Sequence, residues 1–198
     1  MSLMSRRAIA PTRILRMRDG ARVVLRPIRA GDAAALQAYI RGLSTLSRYY
    51  RFFAPIPELP PSEMHRVLHL DGMRQAALIA CAFPNGTATV VGEVRYALAP
   101  NRECEFALSV AEDWRRRGLA LILLGEIECR ARSLGARSLV ADVLHANEPM
   151  KSFAGKTGFS LSGVPTDAKL VRIAKDLATS NAALPCTELM TSAVAEAA

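Results

Sequence analysis

One stretch constrains the fold more than any other: a strand, a basic glycine turn, a long helix and a second strand follow one another between Glu103 and Leu144. In Glu103–Val110, Phe106, Leu108 and Val110 alternate onto one face, the period of a strand. After Trp114-Arg-Arg-Arg-Gly118, residues Ala120, Leu123, Leu124, Ile127, Ala131 and Leu134 recur at helical spacing, and Gly135 supplies a left-handed stop. Ser138–Leu144 then reads as a strand again. A helix that starts near Gly118 has first-turn N–H groups with no carbonyl four residues back. They face whatever anion sits there, helped by the positive end of the helix dipole. Arg115, Arg116 and Arg117 set cations beside them. The turn therefore reads as a pyrophosphate site, against the plainer reading of a solvated basic turn before an ordinary helix.

A chain of 198 residues with 51% hydrophobic composition is long enough to bury one good core. No apolar run approaches the roughly 20 residues that cross a bilayer. Cys81, Cys104, Cys129 and Cys186 show neither metal-ligand spacing nor a disulfide framework, and no secretory signal is present; they read as core hydrophobes of a cytoplasmic protein. The net charge of +8 is localised. Residues 1–29 hold eight arginines against one aspartate, which leaves 18 basic and 17 acidic residues in the remainder. The nearly neutral body argues against nucleic acid as a partner, and residues 1–19 are expected to be a flexible basic leader. Residues 20–177 are expected to form the folded domain, followed by a loosely ordered tail over 178–198.

Arg22–Pro27 reads as the first strand, with a helix opening at Gly31-Asp32. Leu43–Phe53 reads as a short helix whose aromatics pack on the sheet, and Ser62 begins another helix after a Pro-rich loop. His65 and His69 share one face of it, but no third ligand stands at a fixed offset, so no metal site is expected. Ala76–Phe83 and Ala88–Leu98 read as strands joined through Pro84-Asn-Gly86, and Ala168–Ile173 as a last strand.

Arg115-x-x-Gly118-x-Ala120 resembles the acyl-CoA pyrophosphate loop of the GNAT N-acetyltransferases. Asn147, Met150, Phe153, Lys156, Gly158 and Phe159 are similar to a second signature of that superfamily. Within it, Arg22–Pro27-Ile28-Arg29, Asp32, Leu43-Ser44, Ser47–Phe53 and Cys104-Glu105-Phe106-Ala107 resemble the GNAT domain of Pat-type bacterial protein lysine acetyltransferases, over roughly residues 20 to 175. The resemblance implies a mixed α/β fold: a mostly antiparallel central sheet of about six to seven strands with helices on both faces.

It also implies acetyl-CoA as cosubstrate and a primary amine as acceptor, a protein lysine before a small-molecule amine. A non-catalytic acyl-CoA sensor is the alternative from another class. A lysine amine of pKa about 10.4 costs roughly 4.6 kcal/mol to neutralise at pH 7, so a base is the first requirement. Glu105 matches the glutamate of the Pat-type strand and is the candidate, with Glu93 in reserve. The resemblance assigns the pantetheine arm to the backbone of Leu108, Ser109 and Val110. It assigns the pyrophosphate to Arg115, Arg116, Arg117, Gly118, Leu119 and Ala120, and a further CoA contact to Asn147, for which a plain helix cap is the other reading. The tyrosine that serves many GNAT enzymes as general acid is replaced by Ala154, with water or Ser152 left as substitutes.

Overall fold

The computed structural model describes residues 12–178. Eight strands form one sheet: β1 (Arg13–Arg16), β2 (Arg22–Pro27), β3 (Gln75–Ala82), β4 (Thr89–Leu98), β5 (Glu103–Val110), β6 (Ser138–Leu144), β7 (Ser160–Gly163) and β8 (Leu170–Asp176), in the spatial order β1-β2-β3-β4-β5-β6-β8-β7. All neighbours are antiparallel except β5 and β6. Five α-helices accompany it: α1 (Ala33–Gly42), α2 (Thr45–Phe52), α3 (Pro61–Leu68), α4 (Leu119–Ser133) and α5 (Glu148–Lys156). The mixed, mostly antiparallel sheet with helices on both faces agrees with expectation. The strand count exceeds the expected six to seven because short strands close both edges.

One of these edges, β1, lies inside the stretch expected to be a flexible leader. Its pairing with β2 runs from Arg13↔Leu25 to Arg16↔Arg22, and the sparse apolar residues Leu15 and Met17 are buried beneath it. Four residues, two arginines around two apolar side chains, carry almost no periodic signal, so only the neighbouring strand reveals the element. Residues 1–11 and the tail from 179 lie outside the described residues.

The burial pattern follows from position in the sheet. β3 is central and apolar along nearly its whole length, Ala76 to Ala82 all being buried, as covered faces on both sides require. One core lies between the sheet and α4, with Leu119, Leu123, Leu124, Ile127, Val94, Phe106 and Ile173 among its members. The other joins Leu36, Ile40 and Val67 of α1 and α3 to Ala77, Ile79 and Cys81 of β3. Gly92 marks where α4 approaches the sheet most closely. A Cβ there would sit 3.2 Å from both Leu119 and Leu123. The Arg-Pro…Asp motif is a clamp between β2 and α1: Arg26 donates two hydrogen bonds of 2.7 Å to Asp32, and the Arg29 N–H a third of 2.7 Å.

The cysteines depart from the expectation of four thiols. Cys81 and Cys104 are free and buried, and burial pushes the Cys104 thiol up to about 12. Half-buried Cys129 on α4 is disulfide-bonded, and Cys186 lies outside the described residues. Isolated spacing along the chain gave no sign of this linkage, because it depends on which surfaces the fold brings together.

Candidate active site

The single parallel pair opens the sheet. β5 and β6 are in register at Glu103↔Ser138, Cys104↔Leu139 and Glu105↔Val140, after which pairing stops. Beyond that point β6 stays with β8 through Leu144, while β5 stays with β4 through Val110↔Gly92. The edge of β5 over Leu108, Ser109 and Val110 thus faces a gap rather than a strand. Backbone N–H and C=O groups along such a gap await an extended partner.

At the wide end of the gap the chain enters the turn before α4. Arg116 and Gly118 both have positive φ, at 59° and 91°. Open space lies beside Gly118 where a side chain would project, so nothing obstructs an anion from reaching the helix N-terminus. Leu119 is anchored in the core and Ala120 is half-buried, which fixes that first turn against the sheet.

The three turn arginines are not equivalent. Arg115 folds inward: its Nη2 donates to Ser47 Oγ at 2.7 Å and to Glu112 Oε1 at 3.2 Å, and its Nε to the Val110 carbonyl at 3.3 Å. Arg117 pairs with Asp19 at 3.1 Å and lies over the Trp114 ring. Arg116 is exposed and has no such partner among the described residues. Burial tends to raise the Glu112 carboxyl, but hydrogen bonds from Ser47 and Ser44 outweigh it and hold it at about 2.

Helix α2 bridges both lips of the gap. Its cap Ser44 and first-turn Ser47 bind Glu112 on the β5 side. On the other side the Tyr50 hydroxyl donates 3.0 Å to the Ala146 carbonyl, beside Asn147. Asn147 caps α5, its Oδ1 accepting from the Met150 N–H at 3.2 Å. That use satisfies the cap reading and leaves only the amide NH₂ for a ligand. Ala154 is buried in the core and Ser152 is exposed on α5.

Below the vertex of the gap, on the face covered by α2 and α3, lies a cleft of ≈ 260 Å³. Glu105, Ala107, Arg95, Arg51, Glu63 and Arg66 are among its lining residues. The Glu105 side chain is exposed and makes no hydrogen bond or close ion pair among the described residues; its charge is felt by Arg172 of β8, which itself contacts Asp142 and Glu103. Glu93 differs in every respect. It is fully buried, hydrogen-bonded to Arg95 and 3.7 Å from Arg51. Enclosed this way it is a structural ion-pair partner, with no surface from which to take a substrate proton.

His65 and His69 stack ring on ring, and His69 Nδ1 lies 2.8 Å from the His65 carbonyl. Sequence reading missed Ser47, Arg51, Arg95 and Glu112, which meet only through long-range packing. Ser44 three residues before Ser47 was a visible capping signal, but it does not disclose that Glu112 closes the set.

A family model described as an acetyltransferase (GNAT) domain matches residues 22–160. Acetyltransferase PA5475 of Pseudomonas aeruginosa is 29% identical over 154 residues, which are 77% of this chain and 83% of that protein. The crystal structure of the GNAT domain of S. lividans PAT superposes with a TM-score of 0.75 at 32% identity, covering 83% of this chain and 96% of that one. A cAMP-binding acyltransferase from Mycobacterium smegmatis shares the fold, with a TM-score of 0.60 at 20% identity over 92% of this chain and 52% of that one.

Proposed function

Since the chain belongs to the GNAT acetyltransferase family, we propose that it transfers the acetyl group of acetyl-CoA to a primary amine, a protein lysine side chain first, with Glu105 as general base. The observation that carries this reading is the end of β5–β6 pairing at Glu105↔Val140. Glu105 stands at the last paired position, beside the gap along β5, and it also lines the cleft, which supports its role between the two.

In this reading Leu108, Ser109 and Val110 pair through their backbone with the pantetheine arm. The N–H groups around Gly118, Leu119 and Ala120, with Arg116 nearest to free, receive the pyrophosphate. Arg115 and Arg117 shape the turn from within, and the Asn147 amide completes the CoA contacts. Glu105 removes a proton from the acceptor ammonium, directly or through water. The amine nitrogen then attacks the thioester carbonyl carbon, the new C–N bond forms, the C–S bond breaks with its electron pair leaving on sulfur, and the second nitrogen proton passes to the departing thiolate or to water, leaving the neutral amide and CoA. A thiolate of pKa about 8.5 costs roughly 2 kcal/mol to release at pH 7, so an alanine at position 154 is tolerable where loss of the base is not. No helix among the described residues is long and apolar enough to cross a membrane.

The test is calorimetric titration with acetyl-CoA, with Gly118→Glu as the control, followed by acetyl transfer to lysine peptides, folded proteins and small amines. Micromolar binding abolished in the variant, together with lysine acetylation, upholds the reading. Turnover of small amines alone replaces the protein acceptor, and binding without turnover of any amine makes the chain a sensor. Absence of acetyl-CoA binding removes the proposal.

A further inference from the structure

The charges lining the cleft do not all have partners within it. Arg66 donates to both oxygens of Glu63, at 3.0 and 2.6 Å. Arg95 binds Glu93 and reaches Glu63 at 3.3 Å. Two groups of opposite sign are left over. Glu105 is one: its side chain makes no hydrogen bond or close ion pair among the described residues, and the cation that feels its charge, Arg172, does not line the cleft and is engaged by Asp142 and Glu103.

Arg51 is the other. Its side chain is only 10% exposed, yet its one ionic contact is the 3.7 Å approach to Glu93, beyond hydrogen-bond range. Both Nε and Nη2 are sealed from solvent without a hydrogen-bond partner, and the Glu93 Oε2 that Nη2 faces is buried and unpartnered as well, so the pair is held apart rather than closed. A buried guanidinium in that state is unfavourable, because desolvation is not offset by directed bonds. The same imbalance lowers its pKa, with burial as the leading cause, whereas Arg26, Arg66 and Arg172 are raised by bidentate or close carboxylate partners. Arg95 Nη2, also unpartnered and buried, lies in the same charged cluster.

The sheet fixes the relation of these groups. Ala97 is opposite Glu105 and Arg95 is opposite Ala107, so Arg95 and Glu105 occupy diagonal positions of one face, about 7–8 Å apart at the backbone. Arg51 enters from α2 on the far side of Arg95. The cleft therefore has an acidic end at Glu105 and an underused cationic end at Arg51.

We infer that the acceptor carries a carboxylate a few bonds from its amine, the amine meeting Glu105 and the carboxylate meeting Arg51. This deepens the proposed function and rests on it for the role of Glu105. The carboxylate belongs either to a free amino acid or to an acidic residue beside the target lysine.

The experiment titrates the CoA-loaded protein with two matched pairs. Nα-acetyl-lysine is compared with its carboxamide, and lysine peptides carrying Asp or Glu nearby are compared with their Asn or Gln isosteres. In at least one pair the acid is expected to bind ten-fold or more tightly than the neutral analogue. Arg51→Gln is expected to erase that ratio, and Arg51→Lys to retain part of it. Discrimination in the first pair alone identifies a free amino acid, and in the second alone an acidic neighbour; both uphold the subsite. Equal affinities in both pairs, undetectable binding included, overturn it, and this comparison in the unaltered protein stands even where Arg51→Gln fails to fold. A ratio that persists in a folded Arg51→Gln protein overturns the assignment to Arg51. Acetyl transfer is followed in the same samples: no transfer to any acceptor refutes the proposed reaction, while the binding ratios still decide the subsite.

Discussion

At the residue scale the proposed reaction turns on a single carboxylate. Glu105→Gln removes the proposed base and changes neither the turn nor the gap. The expected result is a fall in kcat of about 100-fold or more at pH 7 with acetyl-CoA affinity unchanged, read by steady-state kinetics and calorimetry. The deficit should narrow toward pH 10, where the amine loses its proton unaided. Glu112 makes a second residue-scale prediction. Its folded pKa of about 2 lies below the ordinary glutamate value of about 4.3. Its contribution to stability is therefore complete above that ordinary value and is lost as pH falls toward 2. Melting temperatures measured from pH 6 to pH 2.5 should show a steeper acid decline for the natural chain than for Glu112→Gln. Both glutamates were visible in the sequence, but only one was legible as functional. Glu105 stands in a strand motif, whereas Glu112 acquires its role from Ser44 and Ser47, more than sixty positions earlier.

Among the elements, α2 and the N-terminus of α4 carry the site. Gly118 holds a φ of 91° that a residue with a Cβ adopts only with strain of about 1–2 kcal/mol, although space for the side chain exists. Gly118→Ala is expected to lose acetyl-CoA affinity by about ten-fold and to fold, measured by calorimetry and circular dichroism. Helix α2 holds the turn through Ser47 and the opposite lip through Tyr50. Tyr50→Phe deletes one exposed hydrogen bond, worth about 1 kcal/mol or less, so stability should barely change. If α2 aligns the two lips, the KM for the acceptor rises while affinity for acetyl-CoA stays constant. The bounds of β2, β5 and β6 are legible in the sequence, β5 through its alternation. The course of α2 across the gap is not, because its contacts on either side come from segments remote in the chain.

Across the whole molecule, the edges and the buried charges decide stability. β1 buries Leu15 and Met17, each worth about 1.5–3 kcal/mol when fully enclosed, and covers the edge of β2. Deletion of residues 1–18 is therefore expected to lower the melting temperature by about 6–24 °C, whereas a free leader would leave it unchanged. Lys175 of β8 and Glu128 of α4 form a 2.9 Å pair with both side chains fully buried, and Arg132 adds to it. Glu128→Gln leaves a buried cation less compensated and is expected to destabilise the protein by about 3–5 kcal/mol, measured by denaturant titration. Sequence periodicity by itself determined the strand–turn–helix–strand unit and most element boundaries, because apolar spacing and glycine conformations are properties of neighbouring residues, while the family motif singled out Glu105 on its strand. Only the tertiary structure decided that β5 and β6 part at Glu105, that Arg115 folds back toward α2, that β1 joins the sheet and that Arg51 is buried with only a long ion pair to Glu93. Each of these depends on contacts between segments far apart in the chain, for which local patterning carries no signal.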